Sequence, residues 1–257
     1  MGVLVKKEFR QVWRSFRLPA LYLILLFLAV LDPLSSRYMG EIIQRFAQGM
    51  TIIVPPPSAE QAIGSFIGDI VEIGLLVIIA ITMGSVAGEK AAGVTAFIVT
   101  RPVSRRSYIL AKLGVLAVGI AAGIAASVTV AWLYTWTLIG PLPASRVALA
   151  ALSVGMYAEL VMVATFTASM VLPGALAAGG AGLAVVIVLG IAGGVLGKSA
   201  VGPYLPSALT GNAGLLLGGA APGKVASLLL KPGMTSVLLG AVLLGAGLAR
   251  FRRLDLQ

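Results

Sequence analysis

The chain has 257 residues, of which 59% are hydrophobic and 11% are charged. A soluble domain carries roughly 45–50% apolar and about 25% charged residues, so this composition excludes an ordinary soluble globular protein. The chain contains neither Cys nor His, which excludes disulfides, thiolate metal sites and the commonest general base.

Residues 1–17 predict an amphipathic helix that lies in the membrane interface. One face carries apolar side chains at helical spacing, and the opposite face carries cations. The apolar set is Val5, Phe9, Val12, Trp13 and Phe16, and the cationic set is Lys7, Arg10, Arg14 and Arg17. An ordinary charged flank before a span is the alternative, but the regular aromatic spacing favours the interfacial helix.

Six apolar stretches follow, each long enough to cross a bilayer core about 30 Å thick, which takes roughly 20 helical residues. The predicted spans are 18–36, 66–87, 112–139, 147–171, 175–196 and 233–249. The first span is expected to fray at Asp32-Pro33, and residues 37–61 are expected to form an exposed loop. Pro173-Gly174 separates the fourth span from the fifth. The sequence therefore predicts an all-α integral membrane protein, with residues 1–257 in one transmembrane domain.

The stretch 199–232 is apolar but repeatedly interrupted by Pro and Gly, so its pieces are too short to cross the bilayer. We predict short helices that form a re-entrant segment at the outer side. With the N-terminus inside and six spans, thirteen Lys and Arg residues lie inside and six outside, as the positive-inside tendency requires. A seventh span would move the C-terminal arginines outside. We therefore predict that both termini are cytoplasmic. The net charge of +10 is then explained by topology and lipid headgroups, and nucleic acid is not an expected partner.

The polar and basic stretch 88–108 connects the second and third spans on the cytoplasmic side. Phe97 and Ile98 form an apolar ridge beside Arg101 on a short predicted helix that ends at Pro102. Such a ridge suits insertion into a groove on a partner protein. A basic connecting loop explains the same residues nearly as well.

This stretch resembles the cytoplasmic loop of permeases from the type-2 ABC exporter superfamily. The matching residues are Glu89, Gly93, Pro102-Val103-Ser104-Arg105 and Lys112. Val94 and Ala111 stand where the family usually has Thr and Gly. The basic, aromatic start of the chain is similar to the family's elbow helix, and the tail from Phe251 to Leu256 is similar to its usual ending.

The resemblance implies a non-catalytic permease subunit that forms a homodimer or a heterodimer in the plasma membrane of a prokaryote and exports a substrate. The loop would be a coupling helix seated on a separate ATP-binding subunit. The implied partner contacts are Glu89, Gly93, Phe97, Ile98, Arg101 and Arg105. ATP and magnesium would bind to that partner, so this chain itself is expected to need no cofactor.

Glu159 lies near the middle of the fourth span, where an ionised carboxylate costs on the order of 3 kcal/mol or more. Arg146 is about 20 Å away along a helix, which is too far for pairing within the span. A hydrogen bond to another helix and a place on the translocation path remain equally open for Glu159.

Two rival functions are weighed against the permease. An ATP-independent channel or carrier usually has inverted repeats, and the two halves of this chain show no convincing match. An intramembrane enzyme of the common kinds would need His or Cys. Residues 218–224 have the spacing of a phosphate loop, but Val225 replaces the Ser or Thr that binds magnesium. We therefore expect no ATP hydrolysis by this chain.

Overall fold

The computed structural model describes residues 2–46, 55–91 and 105–253, and the regular structure in these ranges is helical. The elements are α1 (Gly2–Arg14), α2 (Arg17–Phe46), α3 (Ala59–Asp69), a π-helical turn (Ile70–Gly74), α4 (Leu75–Met83), α5 (Ala87–Ala91), α6 (Arg105–Leu138), α7 (Ala144–Val171), α8 (Ala175–Leu196), a 3-10 turn (Gly202–Tyr204), α9 (Ala208–Leu217) and α10 (Pro222–Arg253). Six helical stretches within these ranges are long and apolar enough to cross a membrane: α2, the run from α3 to α5, α6, α7, α8 and α10. The predicted all-helical fold with six spans is confirmed.

The chain turns sharply between α1 and α2. Phe16 has a φ of 62°, in the left-handed region that few residues other than glycine adopt, and it lies between the end of α1 and the start of α2. Glu8 and Val12 are buried on one side of α1, whereas Phe9 and Trp13 are about half exposed with their rings stacked at 5.9 Å. The exposed aromatic side suits the predicted interface, and the position in the membrane stays a prediction.

Two prolines, Pro33 and Pro232, lie inside helices. The predicted fraying at Asp32-Pro33 is wrong, because α2 continues through Pro33 to Phe46. The last helix likewise begins at Pro222, well before the predicted start of the sixth span at 233, and continues through Pro232.

The packing around Pro232 explains why the helix continues there. A proline has no N–H, so the carbonyl four residues earlier loses its usual helical donor. In α10 that carbonyl belongs to Leu228, and it accepts a hydrogen bond of 2.8 Å from the side-chain amide of Asn212 on α9. A neighbouring helix thus satisfies the group that the proline leaves free, as membrane helices often require.

The second span is built from three helical pieces. α3 begins at Ala59, inside the predicted exposed loop, because the hydroxyl of Ser58 accepts a hydrogen bond of 3.1 Å from the Gln61 amide and caps the helix. The π-helical turn then widens the helix before α4 begins. A single such turn inside an α-helix is a local bulge and does not end the span.

α7 is the central helix of the bundle. It packs against α4, α6, α8, α9 and α10, and most of its side chains between Val154 and Met170 are buried. Its connection to α8 is short, since the backbone is extended at Leu172 and Gly174. The predicted break at Pro173-Gly174 is confirmed, because the residue before a proline avoids the helical conformation.

α2 and α6 pack closely through two glycines of α6. A Cβ atom added at Gly119 would lie 2.7 Å from Leu18 Cδ1, and one added at Gly123 would lie 2.6 Å from Tyr22 Cε1. The hydroxyl of Tyr22 donates a hydrogen bond of 2.9 Å to the Gly119 carbonyl, which holds its ring in this position. Small residues at this spacing allow close helix approach in membranes.

The stretch between α8 and α10 contains the 3-10 turn and α9. α9 lies against α7, where Ser153 Oγ donates a hydrogen bond of 2.7 Å to the Leu209 carbonyl. With ten residues, α9 is too short to cross a bilayer. Residues from Pro222 onward belong to the final helix, so the predicted re-entrant segment 199–232 is too long at its end. The re-entrant position of residues 199–221 at the outer side stays a prediction.

Gly123→Val is expected to destabilise the folded chain by about 1–3 kcal/mol, because a side chain there overlaps the held ring of Tyr22. Gly114→Val is the matched control on the same helix, since a Cβ there meets no atom within 4 Å. The measurement is the thermal unfolding midpoint of each purified variant in the same detergent. Equal midpoints for the two variants would contradict the close α2–α6 packing.

Candidate functional site

Lys112 joins three helices through a buried ion-pair network. Its ammonium nitrogen lies 2.7 Å from Glu8 Oε2 on α1 and 2.6 Å from Glu89 Oε1 on α5, and Lys112 itself is on α6. The side chains of Lys112 and Glu8 are 5% and 1% exposed, and that of Glu89 is 11% exposed. Buried charges persist only when they are paired, so these three residues depend on one another.

Glu89 accepts hydrogen bonds from two further side chains. Gln11 Nε2 donates to Glu89 Oε1 at 2.7 Å, and the Tyr108 hydroxyl donates to Glu89 Oε2. Gln11 lies three residues after Glu8 on α1, and Tyr108 lies four residues before Lys112 on α6, so each pair shares one helix face. The carboxylate of Glu89 is thereby bonded to both helices, which attaches α5 to α1 and α6.

A second joint ties α5 to the end of α7. The Lys90 ammonium donates hydrogen bonds to the carbonyls of Met170 at 2.8 Å and Leu172 at 3.1 Å. A helix C-terminus leaves its last carbonyls unpaired and carries partial negative charge, so a cation is favourable there. The root of the predicted coupling loop is thus fastened to α7 as well.

The same joint includes a buried hydroxyl. Ser169 Oγ accepts hydrogen bonds from the backbone amides of Val86 at 3.0 Å and Ala87 at 2.9 Å. These amides lie at the start of α5, where a helix has no internal acceptor for its first N–H groups. Ser169 on α7 therefore caps α5. In most helices this role is filled by the side chain of the residue that directly precedes the helix.

The structure describes part of the predicted partner-binding set. Gly93, Phe97, Ile98 and Arg101 lie outside the described residues, and Arg105 is the first residue of α6. Glu89 faces the interior of the bundle, where it binds the network described above. Its contact with a partner stays a prediction.

Sequence reasoning did not identify Glu8, Gln11 or Tyr108 as members of this site. The available signal was Glu8, a lone acid in a strongly basic segment. An acid among cations is usually interpreted as a solvated residue that pairs with the cations beside it. Only the fold brings Lys112, 104 positions away in the sequence, into contact with Glu8.

Glu159 lies on α7 at the wall of a cavity of about 840 Å³ between α6 and α10. Its Oε1 atom is buried and has no hydrogen-bond partner among the described residues. The hydrogen bond to another helix, which sequence analysis left open for Glu159, is therefore absent for this atom. The place on a translocation path stays a prediction.

Asp32 on α2 and Asp69 on α3 lie near each other although they are 37 positions apart in the sequence. Sequence analysis did not predict this pair, because the helix that carries Asp32 was expected to fray there. The described residues contain no group of three or more His, Cys, Asp or Glu side chains that could hold a metal ion.

The six candidate spans indicate a multi-pass membrane protein. Over residues 3–256 the chain matches the family described as ABC-2 family transporter protein, and it belongs to that family. The resemblance noted in the sequence is thereby confirmed. The family consists of membrane components of transporters, which are generally not catalytic.

A similar protein is the uncharacterized transmembrane protein YxlG of Bacillus subtilis (strain 168). It is 33% identical to this chain over 161 residues, which make up 62% of this chain and 61% of that relative. The aligned part therefore spans less than two thirds of the relative's length.

Lys112→Met is expected to destabilise the chain by about 3–5 kcal/mol, because it leaves the buried carboxylates of Glu8 and Glu89 without their shared cation. Lys7→Met is the matched control. Lys7 also pairs with Glu8, at 2.9 Å, but its side chain is 46% exposed, so its loss should cost only about 0–1 kcal/mol.

Thermal unfolding of the purified variants in detergent measures both effects. The double variant Lys112→Met with Glu8→Gln should recover part of the loss, since it removes one of the two carboxylates that no longer contact Lys112. A midpoint for Lys112→Met as high as that for Lys7→Met would show that the network does not stabilise the fold.

Proposed function

We propose that this chain is the permease subunit of a type-2 ABC exporter in the plasma membrane of a prokaryote. A separate subunit binds ATP and magnesium and hydrolyses the ATP. Two permease subunits, identical or different, enclose the translocation path, and the loop 88–108 carries the mechanical signal between the two kinds of subunit. Membership of the ABC-2 family supports this proposal.

The single observation that carries the mechanism is the anchoring of the loop root. α5 enters the loop, and it is tied to α1 and α6 through Glu89 and Lys112 and to α7 through Lys90 and Ser169. A connector that only joins two spans has no need of a buried ion-pair network, which is costly to desolvate. A lever that moves three helices together does need rigid attachment at its root.

The mechanism follows from this attachment. ATP binding and hydrolysis move the surfaces of the partner on which the loop rests. The loop passes that displacement to α1, α6 and α7 together, because bonds between charged and polar groups in a low-dielectric setting resist separation. The shift of these helices in the dimer opens the central path alternately to the two sides of the membrane.

The first test concerns the partner contact. Phe97→Asp is expected to lower the amount of co-purified ATP-binding subunit at least tenfold and to abolish substrate-stimulated ATP hydrolysis. Burial of one such side chain contributes roughly 1.5–3 kcal/mol, and about 1.4 kcal/mol corresponds to a factor of ten in affinity. The partner to co-express is an ATP-binding subunit, sought first among the genes that neighbour the gene of this chain.

Phe97→Leu is the matched control, because it keeps an apolar side chain and should retain most of the binding. Membrane insertion of both variants is checked by their yield in the membrane fraction. If Phe97→Asp binds and couples like the unmodified chain, the loop is only a connector. If no ATP-binding subunit co-purifies with any form, the alternative of an ATP-independent carrier replaces the proposal.

The second test concerns orientation. With both termini in the cytoplasm, alkaline phosphatase fused after Gln257 should be inactive, and the same enzyme inserted at Gly140, in the turn between α6 and α7, should be active. The physical reason is the excess of Lys and Arg on the inner side, thirteen against six. An active fusion at Gln257 would exclude this arrangement of the spans.

A further inference from the structure

A groove runs between α6 and α10, with α7 as its floor. Its cavity of about 840 Å³ lies within the range of roughly 300–1,000 Å³ that is typical of small-molecule sites. Each of the three helices contributes lining residues, for example Ile124 of α6, Gly155 of α7 and Gly240 of α10. The lining is almost entirely apolar, so an occupant with an apolar body is favoured.

The polar side chains in the wall other than Glu159 already have partners. Each of them donates a hydrogen bond to a backbone carbonyl near the groove. The pairs are Thr129 Oγ1 with Ala125 at 2.8 Å, Trp132 Nε1 with Leu142 at 2.9 Å, and Ser236 Oγ with Pro232 at 2.7 Å. These groups therefore offer little to a ligand.

Glu159 is the exception among the lining residues. Its Oε1 is buried and has no hydrogen-bond partner in the described part of the chain. The cation of α7 itself, Arg146, lies 3.3 Å from Glu60 and so is engaged elsewhere. An acid without a counter-charge in an apolar setting is costly, and a positive charge brought in by an occupant would remove that cost.

We propose that this groove binds small lipophilic cations, molecules with an apolar body and one positive charge. The apolar walls take the body, and Glu159 is the counter-ion of the charge. This inference rests on the proposed permease function in one respect: the groove is taken to be part of the translocation path, and the cations to be the molecules that enter it. Binding to the groove needs no partner subunit, so it is measured on this chain alone.

The probes are tetraphenylphosphonium and tetraphenylborate, which have nearly the same size and shape but opposite charge. Equilibrium binding of each is measured with the purified chain in phosphatidylcholine nanodiscs, after subtraction of binding to protein-free nanodiscs. The unmodified chain should bind the cation at least tenfold more tightly than the anion. Shape and hydrophobicity alone would make the two affinities equal.

Two variants separate charge from general effects. Glu159→Gln should weaken binding of tetraphenylphosphonium at least tenfold and leave tetraphenylborate binding unchanged or stronger. Glu41→Gln is the matched control, because Glu41 is an exposed acid that faces Arg37 at 4.0 Å on α2, away from the groove. It should bind both probes like the unmodified chain.

A second pair of variants tests the place of binding. Gly155 lines the groove, and a Cβ added there meets no atom within 4 Å, so Gly155→Leu should fill the cavity without a clash and weaken binding of the cation. Gly190→Leu is the control on α8, where an added Cβ is equally free but lies outside the groove. It should leave binding unchanged.

Several results would overturn the proposal. Unchanged cation binding in Glu159→Gln would show that Glu159 is not the counter-ion. Equal affinity for the two probes would show that the groove accepts apolar molecules such as lipid chains without regard to charge. A change of oligomeric state in Gly155→Leu without loss of binding marks the groove as a contact between two copies of the chain. A failure of the ATP-binding subunit to co-purify would count against the permease function but not against binding in the groove.

Discussion

The ammonium of Lys112 lies between the fully buried carboxylate of Glu8 and the largely buried carboxylate of Glu89. Removing such charges from water costs several kcal/mol for each ion, and only short, well-directed contacts repay this. This cation therefore links α1, α5 and α6, and the hydrogen bonds from Gln11 and Tyr108 to Glu89 add to that link. This constraint makes the loop root a rigid body, and the proposed transmission of force from a partner subunit rests on it.

α7 connects the loop root with the groove. Ser169 near its end caps α5, and Glu159 in its middle faces the cavity, about 15 Å away along the helix axis. Because α7 also packs against most of the other long helices, a displacement at the loop root reaches the groove through one stiff element. The proposed lever and the proposed binding site are thus parts of the same helix.

Proline lies inside a helix at two places in this chain and marks the end of a helix at a third. At Pro232 the helix continues because Asn212 of α9 satisfies the carbonyl that lacks its donor. At Pro33 the residue is buried within α2. At Pro173 the helix ends, because the preceding residue, Leu172, has an extended backbone.

The number and approximate place of the spans, the amphipathic start, the break at Pro173 and the family resemblance were determined by the sequence alone. Long uncharged runs have few alternatives to a spanning helix, because a bilayer requires every backbone group to be bonded internally. Glu89 and Lys112 were recognisable from the resemblance. Only the tertiary structure decided the ion pairs that Lys112 forms with Glu8 and Glu89, the cap that Ser169 provides, the hydrogen bond from Asn212 to the Leu228 carbonyl, and the groove around Glu159. These features join residues far apart in the chain, and contacts of that kind follow from the packing of whole helices, which local patterns of apolar and charged residues do not specify.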